Sequence, residues 1–216
     1  MSDKFHDEIA LLKTDVLDMA HFARNMLSDS MKALVTDDEG LAVDVKARKQ
    51  ELNNRHVTME EHIFQMIAIY QPVAKDMRSL VCALQVVNDS MRIGRYGKDI
   101  ANTVREIFEQ PVIGNFISIP HMGELVISMI DDAILSYERE DTSLIESMSK
   151  RDDVVDSLRA SIFRECLTYM MEDPSTISRC IYYVMIVRYL ERCADHACKI
   201  SEKIYYMQTG ERIEIK

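Results

Sequence analysis

Gln110-Pro-Val-Ile-Gly-Asn-Phe-Ile-Ser-Ile-Pro120 is the one stretch of this chain rich in helix breakers, and the residues on either side of it share the same plan. Proline lacks the donor that an interior helical position needs, and glycine costs conformational entropy there, so such a cluster separates helical units. Upstream, Phe5, Ile9, Leu12, Val16, Met19, Phe22, Met26 and Leu34 step by three or four residues, with a gap near Ser30, which is the spacing of a helix with one apolar face. Thr36-Asp-Asp-Glu-Gly40 then reads as a turn and N-cap. A second helix is expected from Leu41 through Leu52, Met59, Ile63 and Met66 to about Tyr70, where Gln71-Pro72 forces a new start. The third carries Met77, Leu80, Val81, Leu84, Val87, Met91, Ile100, Val104 and Phe108.

Downstream the order recurs. His121 to Tyr137 is expected to be helical, Glu140-Asp-Thr-Ser143 turns and caps, and Leu144 to Met171 is helical again. Asp173-Pro174 reads as a cap followed by proline at a first helical position, and the last helix runs to about Met207 with Gly210 as its stop signal. A shift of 103 places Met19 on Met122, Met26 on Met129, Asp38 on Asp141, Leu41 on Leu144, Lys49 on Asp152 and Asn53 on Asp156. A shift of 100 places Arg92 on Arg192 and Ile100 on Ile200. The shared order of turn, proline and long helix argues more strongly for a duplication than these few identities do. The expectation is an all-α protein of two three-helix units, residues 1–109 and 121–216, joined by a linker at 110–120. Helices of about 30 residues would be about 45 Å long and make an elongated body.

Composition agrees. Glycine and proline together number ten in 216 residues, well below the usual share of about 12%, which disfavours a turn-rich β architecture. With 47% hydrophobic and 29% charged residues the chain can bury a core. The net charge of −10 leaves no basic footprint for nucleic acid. Met1-Ser-Asp-Lys-Phe-His6 has no apolar core of a signal peptide, and the longest apolar run, Cys180 to Val187, is far below the ~20 residues that cross a bilayer. Five cysteines without a CxxC pair read as buried thiols of a reducing compartment.

Chemistry concentrates in Arg188-Tyr-Leu-Glu-Arg-Cys-Ala-Asp-His-Ala-Cys-Lys-Ile200. Glu191 and Asp195, four apart, share a helix face, and Cys198 and Glu202 extend the stripe. The preceding helix offers Asp152 and Asp156 at the same spacing. If the two helices pack antiparallel, four carboxylates converge on a site suited to a hard cation such as ferric iron, Mg²⁺ or Mn²⁺. The same spacing also fits two solvated acidic faces. His196 and Cys193 fall on a different face and are expected to pack in the core, and the fifteen methionines read as core filler. There is no GxGxxG, GxxxxGK[ST], GxSxG or HExxH, and no paired Glu-x-x-His; Asp18-x-x-His21 is the nearest to the last.

Gln71-Pro-Val-Ala-Lys-Asp-Met-Arg78, Met171-Glu-Asp-Pro174 and Arg188 to Ala197 resemble segments of the PhoU family of phosphate-uptake regulators, and Ile119 to Leu125 and Lys150 to Asp156 resemble its second-half helix starts. The likeness runs from Phe5-His-Asp-Glu8 to the last helix. It implies two three-helix bundles related by a pseudo-twofold axis. It also implies a cytoplasmic, non-catalytic repressor of the phosphate-starvation response, attached to the membrane only through its partners: a phosphate transporter (its ATPase subunit or permease) and a sensor histidine kinase. A homodimer is expected as well. Some members hold metal clusters on a Glu/Asp-x-x-x-Asp motif in each repeat. Here the second copy is intact as Glu191 and Asp195, whereas the first falls on Met91 and Arg95, with Lys49 and Asn53 on the facing helix. A metal such as iron, Mg or Mn is therefore expected only on Asp152, Asp156, Glu191 and Asp195, with Lys49 and Arg95 filling the first-half space with positive charge near Asp89 or Asp99. Two other readings remain: a metal-dependent helical-bundle enzyme, such as a phosphate-transferring or oxidase bundle, and a metal-free scaffold.

Overall fold

A computed structural model of the protein describes residues 2–110 and 118–215. Among the described residues there is no strand, and six long helices and one short one carry nearly all of the chain. They are α1 (Ser2–Thr36), α2 (Glu39–Ala47), α3 (Lys49–Tyr70), α4 (Ala74–Phe108), α5 (Ser118–Arg139), α6 (Met148–Glu172) and α7 (Ile177–Thr209), with 3-10 turns at Thr142–Ile145 and Pro174–Thr176. At 35 residues each, α1 and α4 run for about 50 Å.

The apolar spacing of α1 is its core face: Phe5, Leu12, Val16, Met19 and Met26 are buried, while Ile9, Phe22 and Leu34 are partly covered. The gap in that spacing is filled by Ser30, fully buried, whose hydroxyl donates to the Leu27 carbonyl at 2.7 Å, so the helix continues unbroken. On α4 the single expected stripe is too narrow. Val81 is exposed, and Cys82, Ala83, Val86, Ile93, Ala101 and Thr103 join Leu80, Val87, Ile100 and Val104 in the interior. The reason is its position: α4 packs against α1, α2, α3 and α7 and has little free face.

The two halves repeat each other in geometry as well as in order. The first helix of each ends on a residue in the left-handed region, Asp37 (φ 50°) and Glu140 (φ 55°), which lie 103 apart. The next amide bonds back five residues, Asp38 to Ala33 at 3.1 Å and Asp141 to Ser136 at 3.2 Å. This satisfies a terminal carbonyl that would otherwise be orphaned. The same two aspartates then cap the next helical turn, Asp38 Oδ1 accepting from Leu41 N and Asp141 Oδ1 from Ser143 N, each at 2.9 Å. Arg48 reaches Asp29 at 2.5 Å, and the residues 103 further on, Arg151 and Asp132, meet at 2.7 Å.

The helix expected from Leu41 to Tyr70 divides at Arg48, the shared end of α2 and α3. Its second-half counterpart tightens further: only the 3-10 turn precedes α6, which starts at Met148 and not at Leu144. Pro174 opens the second 3-10 turn, with the Asp173 carboxylate accepting from Ser175 N at 2.9 Å, and α7 starts after it at Ile177. Of the expected junction, 111–117 lie outside the described residues, and Ser118 to Pro120 belong to the first turn of α5, where proline breaks no helix bond.

The halves meet along α4 and α7, with α1 against α5 beside them. Across the latter pair, Arg24 grips Asp131 with two bonds, of 2.8 and 2.7 Å. At the α4–α7 crossing, Asp89, Tyr96, Tyr189 and His196 interlock. His196 Nδ1 lies 2.8 Å from Asp89 Oδ1, Tyr96 stacks on Tyr189 at 5.8 Å, and Tyr96 also meets His196 at 5.9 Å. A shift of 100 turns the Tyr96–Tyr189 pair into the His196–Asp89 pair, as a twofold axis between Tyr96 and His196 requires.

Within the first half, α4 touches α1 at Gly97. A Cβ added there would lie 2.8 Å from both Leu27 N and Met26 C, backbone atoms that cannot rotate aside. Gly97→Ala should therefore lower stability by about 1–3 kcal/mol, seen as a fall of roughly 2–4 °C in melting temperature per kcal/mol. A variant that melts with the wild type would show that the two helices do not approach so closely.

Candidate functional site

α6 and α7 present the four acids expected to form a metal centre, and the helices also supply arginines among them. Glu191, its side chain 15% exposed, receives Arg159 Nη1 at 2.9 Å and has Arg192 Nε 3.8 Å away. Arg192 Nη1 holds Asp195 at 3.1 Å, and Arg159 lies 3.9 Å from the outward-facing Asp156. Asp152 has no ion pair among the described residues. Burial, and then the neighbouring Asp195 and Asp156, push its carboxyl above the usual carboxylate range, against the pull of a hydrogen bond from the Cys198 thiol. Glu202, the end of the stripe, instead accepts from the Ile215 amide at 2.9 Å and ties down the tail after α7.

Among the described residues no group of three or more His, Cys, Asp or Glu side chains stands close enough to hold a metal ion. As arranged, two guanidinium groups take the place a cation would fill, and the donor set does not fit a closed metal cluster. Of the expected ligands only Asp152 keeps the unneutralised character that favours one. Arg159 and Arg192 were legible as partners, because each lies three residues from an acid on its own helix, the spacing of a helical ion pair.

The equivalent place in the first half has the opposite sign. Lys49, Arg92, Arg95, Tyr96, Lys98 and Asp99 line a cleft of about 240 Å³. Asp99 stands beside Arg95 and Lys49 as expected, paired to its neighbour Lys98. Asp89 does not. It is buried in the α4–α7 seam, where it accepts from Gln85 at 2.7 Å and pairs with His196. His196 thus packs inside with a carboxylate partner that its own helix did not reveal.

The five cysteines are buried free thiols. Burial pushes Cys82, Cys166 and Cys198 up to about 12, which leaves them poor nucleophiles. A larger groove, of about 500 Å³, runs between α6 and α7. Ile162, Phe163, Val184 and Val187 give it apolar walls, and Arg159, Arg164, Arg188 and Arg192 line it as well.

The model of the PhoU domain matches this chain twice, over residues 16–104 and 119–204. The chain belongs to the PhoU family. Each PhoU match covers one of the two halves related by the α4–α7 axis. The chain is 34% identical over 210 residues to the phosphate-specific transport system accessory protein PhoU homolog of Caulobacter vibrioides, covering 97% of this chain and 91% of that one. It is 32% identical to the protein of the same description from Rhizobium meliloti, over 95% and 87% of the two chains. The crystal structure of PhoU from Pseudomonas aeruginosa superposes with a TM-score of 0.92 at 30% identity, covering 96% of this chain and all of that one. The PhoU structure from Streptococcus pneumoniae shares the fold, with a TM-score of 0.90 at 23% identity.

The raised Asp152 carboxyl gives a signed test of the PhoU acidic face. Folded protein holds this proton more tightly than unfolded protein, so the ionised group costs stability as pH rises above the ordinary aspartate range near 4. With chelator present, Asp152→Asn should melt slightly above the wild type at pH 7, by no more than about a few tenths of a kcal/mol once solvent screening is counted. That gain should vanish toward pH 3. Added Mn²⁺ that raised the melting temperature of the wild type but not of the variant would instead show that the acids hold a cation and release their arginines.

Proposed function

We propose that this chain is a non-catalytic regulator of phosphate uptake and of the phosphate-starvation response, acting by contact with a phosphate transporter, through its ATPase subunit or permease, and with a sensor histidine kinase. The observation that carries this reading is the end-to-end match, through both repeats, to accessory proteins of the phosphate-specific transport system. The alternative of a metal-dependent enzyme has less behind it: the relatives that match end to end are named as transport-system accessory proteins, and the buried thiols are poor nucleophiles.

The α6–α7 groove supports a docking role. Beside it Phe163, Leu167, Ile181 and Met185 are each more than a third exposed, an apolar surface bordered by guanidinium groups. Among the described residues no helix is long and apolar enough to cross a membrane. With a net charge of −10 the chain has little attraction for anionic lipid, so the proposal places it in the cytoplasm and brings it to the membrane through a protein partner. It also includes a homodimer, and a metal ion such as iron, Mg or Mn in the second repeat only, bound on displacement of Arg159 and Arg192.

Deleting the gene in its source organism should release a phosphate-starvation reporter in phosphate-rich medium. Wild-type protein should restore repression. Phe163→Asp, on an exposed face and so expected to fold, should fail to restore it and should lose binding to the purified transporter ATPase subunit. A reporter that stays repressed after deletion would contradict the regulatory reading. Full function of Phe163→Asp would remove the groove from it.

A further inference from the structure

We propose that the first-repeat cleft between α3 and α4 binds a small phosphoryl oxyanion. Lys49 comes from the start of α3; Arg92, Arg95 and Lys98 stand at successive intervals of three residues on α4. Against these four cations the cleft lining holds one carboxylate, Asp99, already paired with Lys98. Lys49, Arg92 and Arg95 make no hydrogen bond or ion pair among the described residues.

That arrangement is unfavourable for stability alone. Like charges three residues apart on a helix repel, and a chain with ten excess negative charges has carboxylates enough to neutralise them. In the second repeat the corresponding arginine, Arg192, is paired with Asp195 and lies near Glu191. In the first repeat the corresponding acids are replaced by Arg95 and Met91, and the arginine is left without a partner. The missing counter-charge is what a bound anion would supply.

The ligand class follows from the donors. Two guanidinium forks and two ammonium groups suit a tetrahedral oxyanion of more than one charge, to which guanidinium bonds in bidentate fashion. A cleft of about 240 Å³ accepts an inorganic phosphate or the phosphate end of a nucleotide and is too small for an acidic helix. The site is distinct from the second-repeat acids and from the α6–α7 groove, so its failure would leave the regulatory reading untouched.

Calorimetric titration of the intact chain at near-physiological salt, with inorganic phosphate and separately with ATP, tests the site. Saturable binding at one site per chain is expected for at least one of them. Phosphate binding identifies the free ion as the ligand, and binding of ATP alone identifies the phosphate end of a nucleotide. Arg92→Gln/Arg95→Gln should weaken it by about tenfold or more, and so should Lys49→Gln, which alters the other helix. All three side chains are exposed, and an unchanged circular dichroism spectrum should accompany the loss. Arg159→Gln, in the second repeat, should leave binding unchanged. Absence of saturable binding to both probes, or an equal loss in Arg159→Gln, would overturn the proposal.

Discussion

The packing of α4 on α7 is the constraint on which the rest of this molecule depends. Each of these helices carries more buried residues than any other helix of its repeat, and part of the face that each buries is covered by the other half. At the crossing, a buried carboxylate, Asp89, is held by Gln85 and His196, and leaving such a buried group without one of its hydrogen-bond partners costs about 1–3 kcal/mol. The paired contacts of Tyr96 with Tyr189 and of Asp89 with His196 lie where a twofold axis would exchange them, and the axis then fixes where every other feature of one repeat reappears in the other.

That symmetry makes the divergence of the repeats informative. The ion pairs that close each unit, Arg48 to Asp29 and Arg151 to Asp132, are retained in both, as are the left-handed helix ends at Asp37 and Glu140. These contacts are structural and serve the two halves alike. Between the second and third long helices of each repeat, however, the charges have separated. The first repeat shows lysine and arginine without partners; the second shows carboxylates with arginine between them. A fold that kept its closure contacts while inverting the charge at one matched location has two different surface chemistries to offer.

Much of this is legible in the sequence, for identifiable reasons. Helical spacing is a local property, so the apolar faces of α1 and α5, the caps at Asp38 and Asp141 and the duplication can be read directly. The features that escape such a reading are set by packing between distant segments. Val81 carries the helical spacing yet faces solvent, because the burial of α4 is decided by its several neighbours. Asp89 has basic residues near it on its own helix, whereas its partner lies 107 residues away on α7. The four second-repeat acids do share facing helices, and three-residue spacing pairs Arg159 with Asp156 and Arg192 with Asp195, but it carries no information on the contact across the interface, where Arg159 answers Glu191.

Native-state hydrogen exchange tests the central claim, that the two repeats are one cooperative body closed by α4 and α7, most directly. The amides of α4 and α7 should share the highest protection in the molecule, and Asp89→Asn should lower the protection of both helices together. Exchange of α4 at a markedly lower opening free energy than α7, with the variant affecting α4 alone, would contradict it.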